Sequence, residues 1–275
     1  RLDTQINAAE SLNLSLDSAS DSGVPGDRLT QMAQPTIRIS FDGLQAQPGD
    51  VIEVRQSSTS GDPVGGMLLG SVVLNETMVT MGMALVTLSM DGQNLDDGIH
   101  NMVAVHRDEA GNATVVATEA GDPSSLPGTL QIEIDTTADA GADLSVAVTD
   151  AVINSDEKSA VAYSVAGADA DATVTVSFTD ANNNSVTANA LSGTVDLSGL
   201  ADGPISVSIT ANDAAGNTAT GAGTTLVLDT VAPAAPTFVS MADDTGLPLD
   251  RLTSDSAVTL TLAAESGSTV ELFRD

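Results

Sequence analysis

Aspartates recur beside a Gly-Asn pair in this sequence, and their carboxylates are the side chains with the clearest capacity for chemistry. Arg107–Ala113 reads RDEAGNA and Asn212–Thr218 reads NDAAGNT, so both contain D-x-A-G-N. Calcium takes about 6–8 oxygen ligands from carboxylates, carbonyls and water, in flexible geometry. Zinc would favour thiolate or imidazole ligands. The repeated acids therefore raise the question of a calcium site.

Both segments belong to a longer repeat. LDDGIHNMVAVHRDEAGN starts at Leu95 and LADGPISVSITANDAAGN starts at Leu200, and each reads L-x-D-G, nine further residues, then D-x-A-G-N. A frame written twice predicts a repeated structural unit.

A second repeated signal, D-T after an alternating run, marks the boundaries between units. Asp3-Thr4, Asp135-Thr136 and Asp229-Thr230 are 132 and 94 residues apart, which brackets the ~100 residues of an immunoglobulin-like sandwich. We therefore predict five segments. Residues 1–4 end a preceding repeat, residues 5–134 form an Ig-like domain with enlarged loops, and residues 135–137 are a linker. Residues 138–229 form a second Ig-like domain, and residues 230–275 are a linker with a truncated third domain.

The tail supports the third copy, because ADDTGLPLDRLT, ending at Thr253, mirrors SDSGVPGDRLT, ending at Thr30. We expect about three strands in this copy and expect the sequence to be a piece of a longer protein.

The fold class predicted is all-β: tandem antiparallel β-sandwiches in an extended array. Val or Ile alternates with Thr or Ser between turn clusters, the pattern of half-buried strands, and no stretch has convincing helical periodicity. The strands expected in the second domain are Leu144–Val148, Ala160–Val165, Thr173–Thr179, Val186–Ala190, Thr194–Leu197, Ile205–Ala211 and Thr224–Leu228.

Composition excludes several classes of function. The net charge is −30, from 38 acids against 8 bases, which argues against nucleic acid as a partner because phosphate binding needs Lys and Arg. The charge causes self-repulsion that cations or salt relieve, although a solvated acidic surface explains it equally. The chain has no Cys, which excludes disulfides and thiol chemistry. No run of ~18 apolar residues predicts membrane insertion.

An enzymatic reading finds little support. His100 and His106 are the only histidines and fall six residues apart on one predicted strand. They lack a Ser or acid partner at motif spacing, so a strand-surface role is favoured over catalysis. The acids lie in repeated turns rather than in one unique site, which argues against a glycosidase carboxylate pair. The methionines of the first domain are interpreted as core filler, or as a soft binding face.

The ordered motifs DDTG-x5-LT, L-x-D-G, D-x-A-G-N and LDT-x-AP resemble the tandem immunoglobulin-like repeats of giant bacterial surface adhesins. These include biofilm-associated proteins and adhesins exported by type I secretion. Ala151–Lys158, A-V-I-N-x-x-E-K, resembles a further signature of those repeats. The resemblance implies extension modules outside the cell, with calcium stiffening the junctions. The chain departs from the pattern in its long first domain, and in Asp139 where the second linker has Pro233.

Strand order places the acids at the junctions. The chain enters a sandwich at the top and leaves at the bottom, and successive strands alternate in direction. The D-x-A-G-N corner before the last strand therefore lies at the top and faces the preceding domain. The L-x-D-G corner and the loop after the first strand lie at the bottom and face the next domain. At the first junction we expect Asp21, Asp27, Asp96, Asp97, Asp135, Asp139 and Asp213. Equivalent positions elsewhere add Asp3, Asp108, Asp202, Asp229, Asp243, Asp244 and Asp250. Each is also an ordinary turn residue, since Asp caps its own backbone.

The function predicted is a structural, non-enzymatic extender of an adhesin, a calcium-stiffened rod that supports cell adhesion or biofilm formation. Its partners are neighbouring Ig-like repeats of the same chain, with host or bacterial cell-surface glycans or proteins as candidates. Two alternatives stay open: an accessory β-sandwich array of a secreted polysaccharide-degrading enzyme, and a glycan-binding module in the first domain.

Overall fold

The computed structural model describes residues 12–41, 46–57, 66–115, 129–242, 244–247 and 249–273. The fold is all-β, as the alternating sequence predicts, and its described residues hold two separate buried cores. Leu12 to Ile134 contribute to the first core and Leu144 to Leu228 to the second. We call these units sandwich one and sandwich two. The numerical domain limits given above stay predictions.

Sandwich one packs a three-stranded sheet, β1-β3-β6, against a second sheet of order β2-β9-β7-β4-β5, with β8 beside β7. Alternate residues such as Ile37 and Ile39 are fully buried between the sheets. Its strands are β1 Asn13–Leu16, β2 Leu29–Thr30, β3 Thr36–Ser40, β4 Val51–Gln56, β5 Leu68–Val73, β6 Met83–Thr87, β7 Gly98–Arg107, β8 Ala113–Val115 and β9 Leu130–Ile134.

One short helix, α1 (Glu76–Met81), lies between β5 and β6 and was not expected from the sequence. Its six residues are too few to show a helical period. Its ends carry the signals that define it: the Asn75 side chain accepts a hydrogen bond from the Met78 N–H, and Gly82 ends it at φ 62°. An Asn cap and a left-handed Gly satisfy the unpaired groups of the two ends.

Sandwich two agrees with most of the predicted strands. Thr173–Thr179 has the predicted limits, and the other six predicted strands are present within about two residues, the usual uncertainty of strand ends. Its strands are β10 Ser145–Val148, β11 Val152–Ile153, β12 Val161–Ala166, β13 Thr173–Thr179, β14 Ser185–Ala188, β15 Ser192–Val195, β16 Gly203–Asn212, β17 Thr218–Gly223 and β18 Thr225–Leu228.

Strands β11 and β17 were missed by the sequence analysis. β17 reads TATGAG and has no buried apolar residue, so no alternation marks it. It pairs with β16 antiparallel and with β10 parallel, and so joins the two sheets of sandwich two. A Cβ at Gly221 would clash with the Leu144 carbonyl, so glycine permits this close approach. The expectation of purely antiparallel pairing was incomplete, because β2–β9 and β11–β18 are also parallel.

The last described segment forms an antiparallel hairpin of β19 (Thr237–Met241) and β20 (Leu260–Ala263). Its strand residues are exposed or half-buried. The guanidinium of Arg251 lies 4.8 Å from the ring centre of Phe238. This segment therefore contributes no buried core among its described residues.

Candidate functional site

The D-x-A-G-N corners are held by a hydrogen-bonded clasp between their acid and their asparagine. In one clasp, Asn217 N donates to Asp213 Oδ1 at 2.8 Å and Asn217 Nδ2 donates to Asp213 Oδ2 at 2.7 Å. The same two bonds recur, at 2.7–2.9 Å, in the other D-x-A-G-N corner and in the corner that reads DANNN, which lacks the motif. The three pairs are Asp108–Asn112, Asp180–Asn184 and Asp213–Asn217. The acid of the motif therefore builds its own turn, the role weighed as the alternative to cation binding.

Hydrogen bonds lower the pKa of the acid in two of these corners. The Asn112 side chain holds the pKa of Asp108 below its usual value. The Ala201 N–H, followed by the Asn184 side chain, lowers the pKa of Asp180 to about 2. Hydrogen bonds that favour the charged form lower the pKa of a carboxyl. These two carboxylates are thus stable anions without a cation.

The L-x-D-G aspartate binds the threonine of the D-T linker. Thr136 Oγ1 donates to Asp97 Oδ1 at 2.9 Å and to Oδ2 at 3.1 Å. At the next linker, Thr230 Oγ1 donates to both oxygens of Asp202 at 3.0 Å. Two motifs that are 39 residues apart in sandwich one and 28 residues apart in sandwich two therefore form one structure at the exit of each sandwich.

Sandwich two docks its D-x-A-G-N corner directly onto the exit of sandwich one. Asn217 Nδ2 donates a second bond, to the main-chain oxygen of Asp135 at 2.8 Å. Ser22 Oγ, in the loop after β1, donates to the Ala215 carbonyl at 2.5 Å. Gly23 has φ 69°, and a Cβ there would clash with the Ala214 carbonyl. The structure thus brings together the corner and the lower loop that strand order placed at this junction.

A cleft of about 300 Å³ beside these contacts is lined by acids from both sandwiches. Asp97, Glu133 and Asp135 come from sandwich one and its linker, and Asp171 comes from the loop between β12 and β13. Burial raises the pKa of Asp135 to about 6, with further contributions from the negative charges of Asp213 and Asp171. The junction therefore concentrates carboxylates that repel one another.

Asp171 was not among the predicted site residues. It lies in G-A-D-A-D-A between two strands, at the same end of sandwich two as the 213–217 corner. The alternation of strand direction that placed Asp213 at this end also places Asp171 there. Its neighbour Asp169 accepts a bond from Ala140 N at 2.8 Å. Strand direction could therefore have predicted Asp171 at this junction, but its loop lacks the repeated motif that marks the other acids.

The remaining acids predicted at the first junction bond to their own loops. Asp27 accepts from Leu29 N at 2.9 Å, and Asp139 accepts from Leu144 N at 3.0 Å. Asp96 is exposed, and its main-chain oxygen bonds His100 Nε2 at 2.8 Å. None of these three lines the cleft.

Asp21 differs from those three. Its Oδ2 accepts from Gly26 N at 2.5 Å, but its Oδ1 is buried and has no hydrogen-bond partner. Asp244 occupies the matching place in the tail, where its Oδ2 accepts from Leu249 N at 2.8 Å and its Oδ1 is likewise buried and unpartnered. Two copies of one loop therefore leave the same oxygen without a donor.

Among the described residues, the cleft at the second junction is lined by fewer acids than the cleft at the first. Asp229 lines a cleft there with Pro233, Glu265 and Gly267, and its Oδ1 accepts from Val231 N at 3.2 Å. Asp250, in the tail, caps Leu252 N at 2.9 Å. Asp3 and Asp243, also predicted as ligands, lie outside the described residues.

The donor set fits calcium in kind. The lining of the cleft includes four carboxylates and no histidine. Among the described residues, however, no three acidic or histidine side chains converge closely enough to hold a metal ion. Several of the carboxylates are also engaged by main-chain N–H groups. The assignment of individual calcium ligands therefore stays a prediction.

Both histidines lie in the interior of sandwich one, not at a strand surface as expected. His100 is 8% and His106 2% exposed. They share one face of β7, but that face points into the core with Met102 and Ala104. His106 Nε2 bonds Asp50 Oδ2 at 3.0 Å, and Asp50 is itself 5% exposed. Sequence spacing could not show this partner, because it is 56 residues away.

No family model and no curated protein matches the chain. Similar solved structures include a tetra-tandem repeat from the extending region of a large adhesion protein (19% identity, covering 92% of this chain and 62% of that one, TM-score 0.31). A 1.5-MDa bacterial ice-binding adhesin is 22% identical over 82% of this chain and 67% of its own, with a TM-score of 0.40. A domain of a biofilm-associated protein is 14% identical, covering 74% of this chain and 28% of its own, with a TM-score of 0.22.

These neighbours belong to the class of protein that the repeated motifs resemble. The chain spans less than two thirds of the first of them. Across the residues that the structure describes, no helix is long and apolar enough to cross a membrane.

Proposed function

We propose that this chain is an extension segment of a large bacterial surface adhesin, outside the cell or at its surface, in which calcium stiffens the joint between the two sandwiches. Its work is mechanical: it holds a binding domain away from the cell, or supports contacts between cells. Its partners are the neighbouring Ig-like domains of the same chain. Glycans or proteins of a cell surface are partners of the whole molecule.

The observation that supports this function most is the docked corner at the first junction. The Asn217 amide bonds the Asp135 carbonyl, and the Ser22 hydroxyl bonds the Ala215 carbonyl, so the two sandwiches already share polar contacts across the linker. A spacer needs a defined joint, because a freely flexing one would shorten the average reach of the array. At the second linker, the D-T threonine bonds the L-x-D-G aspartate in the same way as at the first linker.

These contacts alone leave the joint electrostatically unfavourable. Asp135 and Asp171 line the same cleft, and the charge of Asp213 also acts on Asp135. Within a Debye length of about 8 Å at physiological salt, such charges repel. A bound divalent cation would reverse the sign of this interaction and connect carboxylates from both sides of the linker. Asp97, Asp135 and Asp171, which line the cleft, are the residues that would hold it.

Calcium suits this position better than magnesium. Calcium accepts irregular sets of oxygen ligands, whereas magnesium demands near-octahedral geometry and sheds water reluctantly. Sites of extracellular modules have dissociation constants of about 10⁻⁴–10⁻³ M, which matches a site that fills outside the cell and stays empty in the cytosol.

Calorimetric titration of the full chain with calcium tests the proposal. We expect binding in that range, and expect the double variant Asp135→Asn/Asp171→Asn to lose it. Asp96→Asn is the matched control, since Asp96 is an exposed acid beside Asp97 that does not line the cleft. Equal binding by the double variant would place the calcium elsewhere, and no heat with the unmodified chain would reject a calcium-stiffened joint.

A further inference from the structure

The first strand of each sandwich is split, and its second half pairs in parallel with the last strand of the same sandwich. In sandwich one, Leu29 and Thr30 of β2 face Glu133 and Ile134 of β9. In sandwich two, β11 (Val152–Ile153) runs parallel to β18 in the same way. The chain thus joins its entry and exit segments twice by the same device.

Main-chain hydrogen bonds hold these patches. In sandwich one, Glu133 N donates to Arg28 O at 3.0 Å and Asp135 N donates to Thr30 O at 2.9 Å. The bonds of sandwich two run from Val227 N to Ala151 O at 2.8 Å and from Asp229 N to Ile153 O at 2.9 Å. The last bond of each patch belongs to the D-T aspartate, where the chain leaves the sandwich.

Sandwich two has a second parallel patch nearer its entry. Ser145 and Val146 of β10 face Ala222 and Gly223 of β17, and Ala222 N donates to Leu144 O at 3.2 Å. Together the two patches connect both halves of the first strand to the end of the chain in this sandwich.

One face of each patch is buried, and the other, which carries Glu133 in sandwich one and Val152 and Val227 in sandwich two, is exposed. Thr30 is 0% exposed, and Ile134, Ile153 and Leu228 are each 1% exposed. Thr30 and Ile153 carry the carbonyl that accepts the last bond of each patch, and a buried acceptor that loses its partner is costly.

The direction of the strands decides how they respond to tension. When entry and exit are pulled apart, two parallel neighbours slide in opposite directions along their length, so all the bonds between them are strained together. A hairpin pulled from its open end separates its bonds one at a time. We infer that the β2–β9 and β11–β18 patches are force-bearing clamps that set the resistance of each sandwich to being pulled open along the chain. The inference goes beyond the proposed function, because main-chain bonds make the clamp and no cation is needed.

Single-molecule stretching of the full chain at constant force, in chelator, tests the clamp. Val227→Pro removes the N–H that bonds Ala151, and Glu133→Pro removes the N–H that bonds Arg28. Val227 and Glu133 are exposed, so neither change opens a cavity. Losing one such bond should speed unfolding of the altered sandwich about two- to tenfold at a given force. The unaltered sandwich in the same molecule is the internal standard, and the two are distinguished by the lengths of chain that they release.

Val176→Ala is the matched control for stability. Val176 is 0% exposed in β13, away from the patches, so this change lowers equilibrium stability without touching the clamp. For an equal loss of stability in urea, forced unfolding should accelerate less with Val176→Ala than with Val227→Pro. Equal acceleration would overturn the inference.

A change of pulling direction tests the clamp with all its bonds intact. The chain has no Cys, so Asn182→Cys with Gly199→Cys defines two new attachment points in exposed loops at the exit end of sandwich two. Pulling there does not shear β11 against β18, and unfolding should be faster than end-to-end pulling at the same force. Equal or slower unfolding would contradict a clamp loaded in shear.

Discussion

Aspartates of the same motif family have different roles in this chain, and the hydrogen bonds at each residue decide which. Both oxygens of Asp213 accept bonds from Asn217, so this acid builds its turn. Asp135 accepts only a 3.3 Å bond from Thr137 N at its side chain and lies beside two other acids. Sequence spacing placed both at the junction, but it could not separate the turn-former from the crowded carboxylate.

Asp135 gives the junction a pH dependence in chelator. Its pKa is raised in the folded chain to about 6 from a usual value near 3.8. The neutral form is thus favoured by folding, and that stability is present below pH ~4 and lost as pH rises through ~6. The side chain of Asp135→Asn stays neutral at every pH. The melting temperature of this variant should therefore be a few degrees above that of the unmodified chain at pH 7.5 and equal to it at pH 4. A difference that is the same at both pH values would contradict a raised pKa.

Asn217 should matter for the joint as well as for its turn. Asn217→Ala removes the side-chain bonds to Asp213 Oδ2 and to the Asp135 carbonyl, whereas Asn184→Ala removes only the side-chain bond to Asp180 Oδ2, in a corner away from this junction. Each change should destabilise sandwich two by about 1 kcal/mol per lost hydrogen bond. Only Asn217→Ala should broaden the distance distribution between spin labels at Ser71→Cys and Asn182→Cys. Equal broadening by both variants would show that the corner does not fix the joint.

At the scale of elements, the sequence predicted what alternation and repeated motifs can encode. β13 matches its prediction, because Val174, Val176 and Phe178 alternate with polar residues. β17 was missed since its Thr, Ala and Gly carry no alternation, and its place follows from pairing with β16 and β10. α1 was missed because six residues cannot display a period. The parallel patches arise only when distant strands meet, which local patterns do not record.

The loop after β1 should dock sandwich two only if residue 23 has no side chain. Gly23→Ala adds a Cβ that clashes with the Ala214 carbonyl, whereas Gly26→Ala, also at positive φ (91°), meets nothing within 4 Å. Both variants should lose about 1–2 kcal/mol in sandwich one, because both put alanine in a left-handed conformation. Gly23→Ala alone should widen the label distances across the joint. An unchanged width with Gly23→Ala would show that the loop is not a contact that limits bending.

At the scale of the whole molecule, the net charge of −30 and the docked joint act in opposite directions. Charge repulsion favours separation of the sandwiches, whereas the Asn217 and Ser22 contacts hold them together. The sequence predicted the location of the joint from its repeats and strand order. It could not predict the contacts there, because they depend on the close approach of Gly23 to Ala214. Calcium at the joint would add attraction where the acids now repel.

Small-angle scattering of the full chain in calcium and in chelator tests the central claim most directly. An ion shared by Asp135 and Asp171 should oppose bending, so the maximum dimension should be larger and its distribution narrower with calcium. Magnesium at the same concentration should have little effect, and Asp135→Asn/Asp171→Asn should abolish the difference while Asp96→Asn retains it. Identical scattering curves in calcium and in chelator would contradict a calcium-stiffened joint and leave these acids as formers of turns.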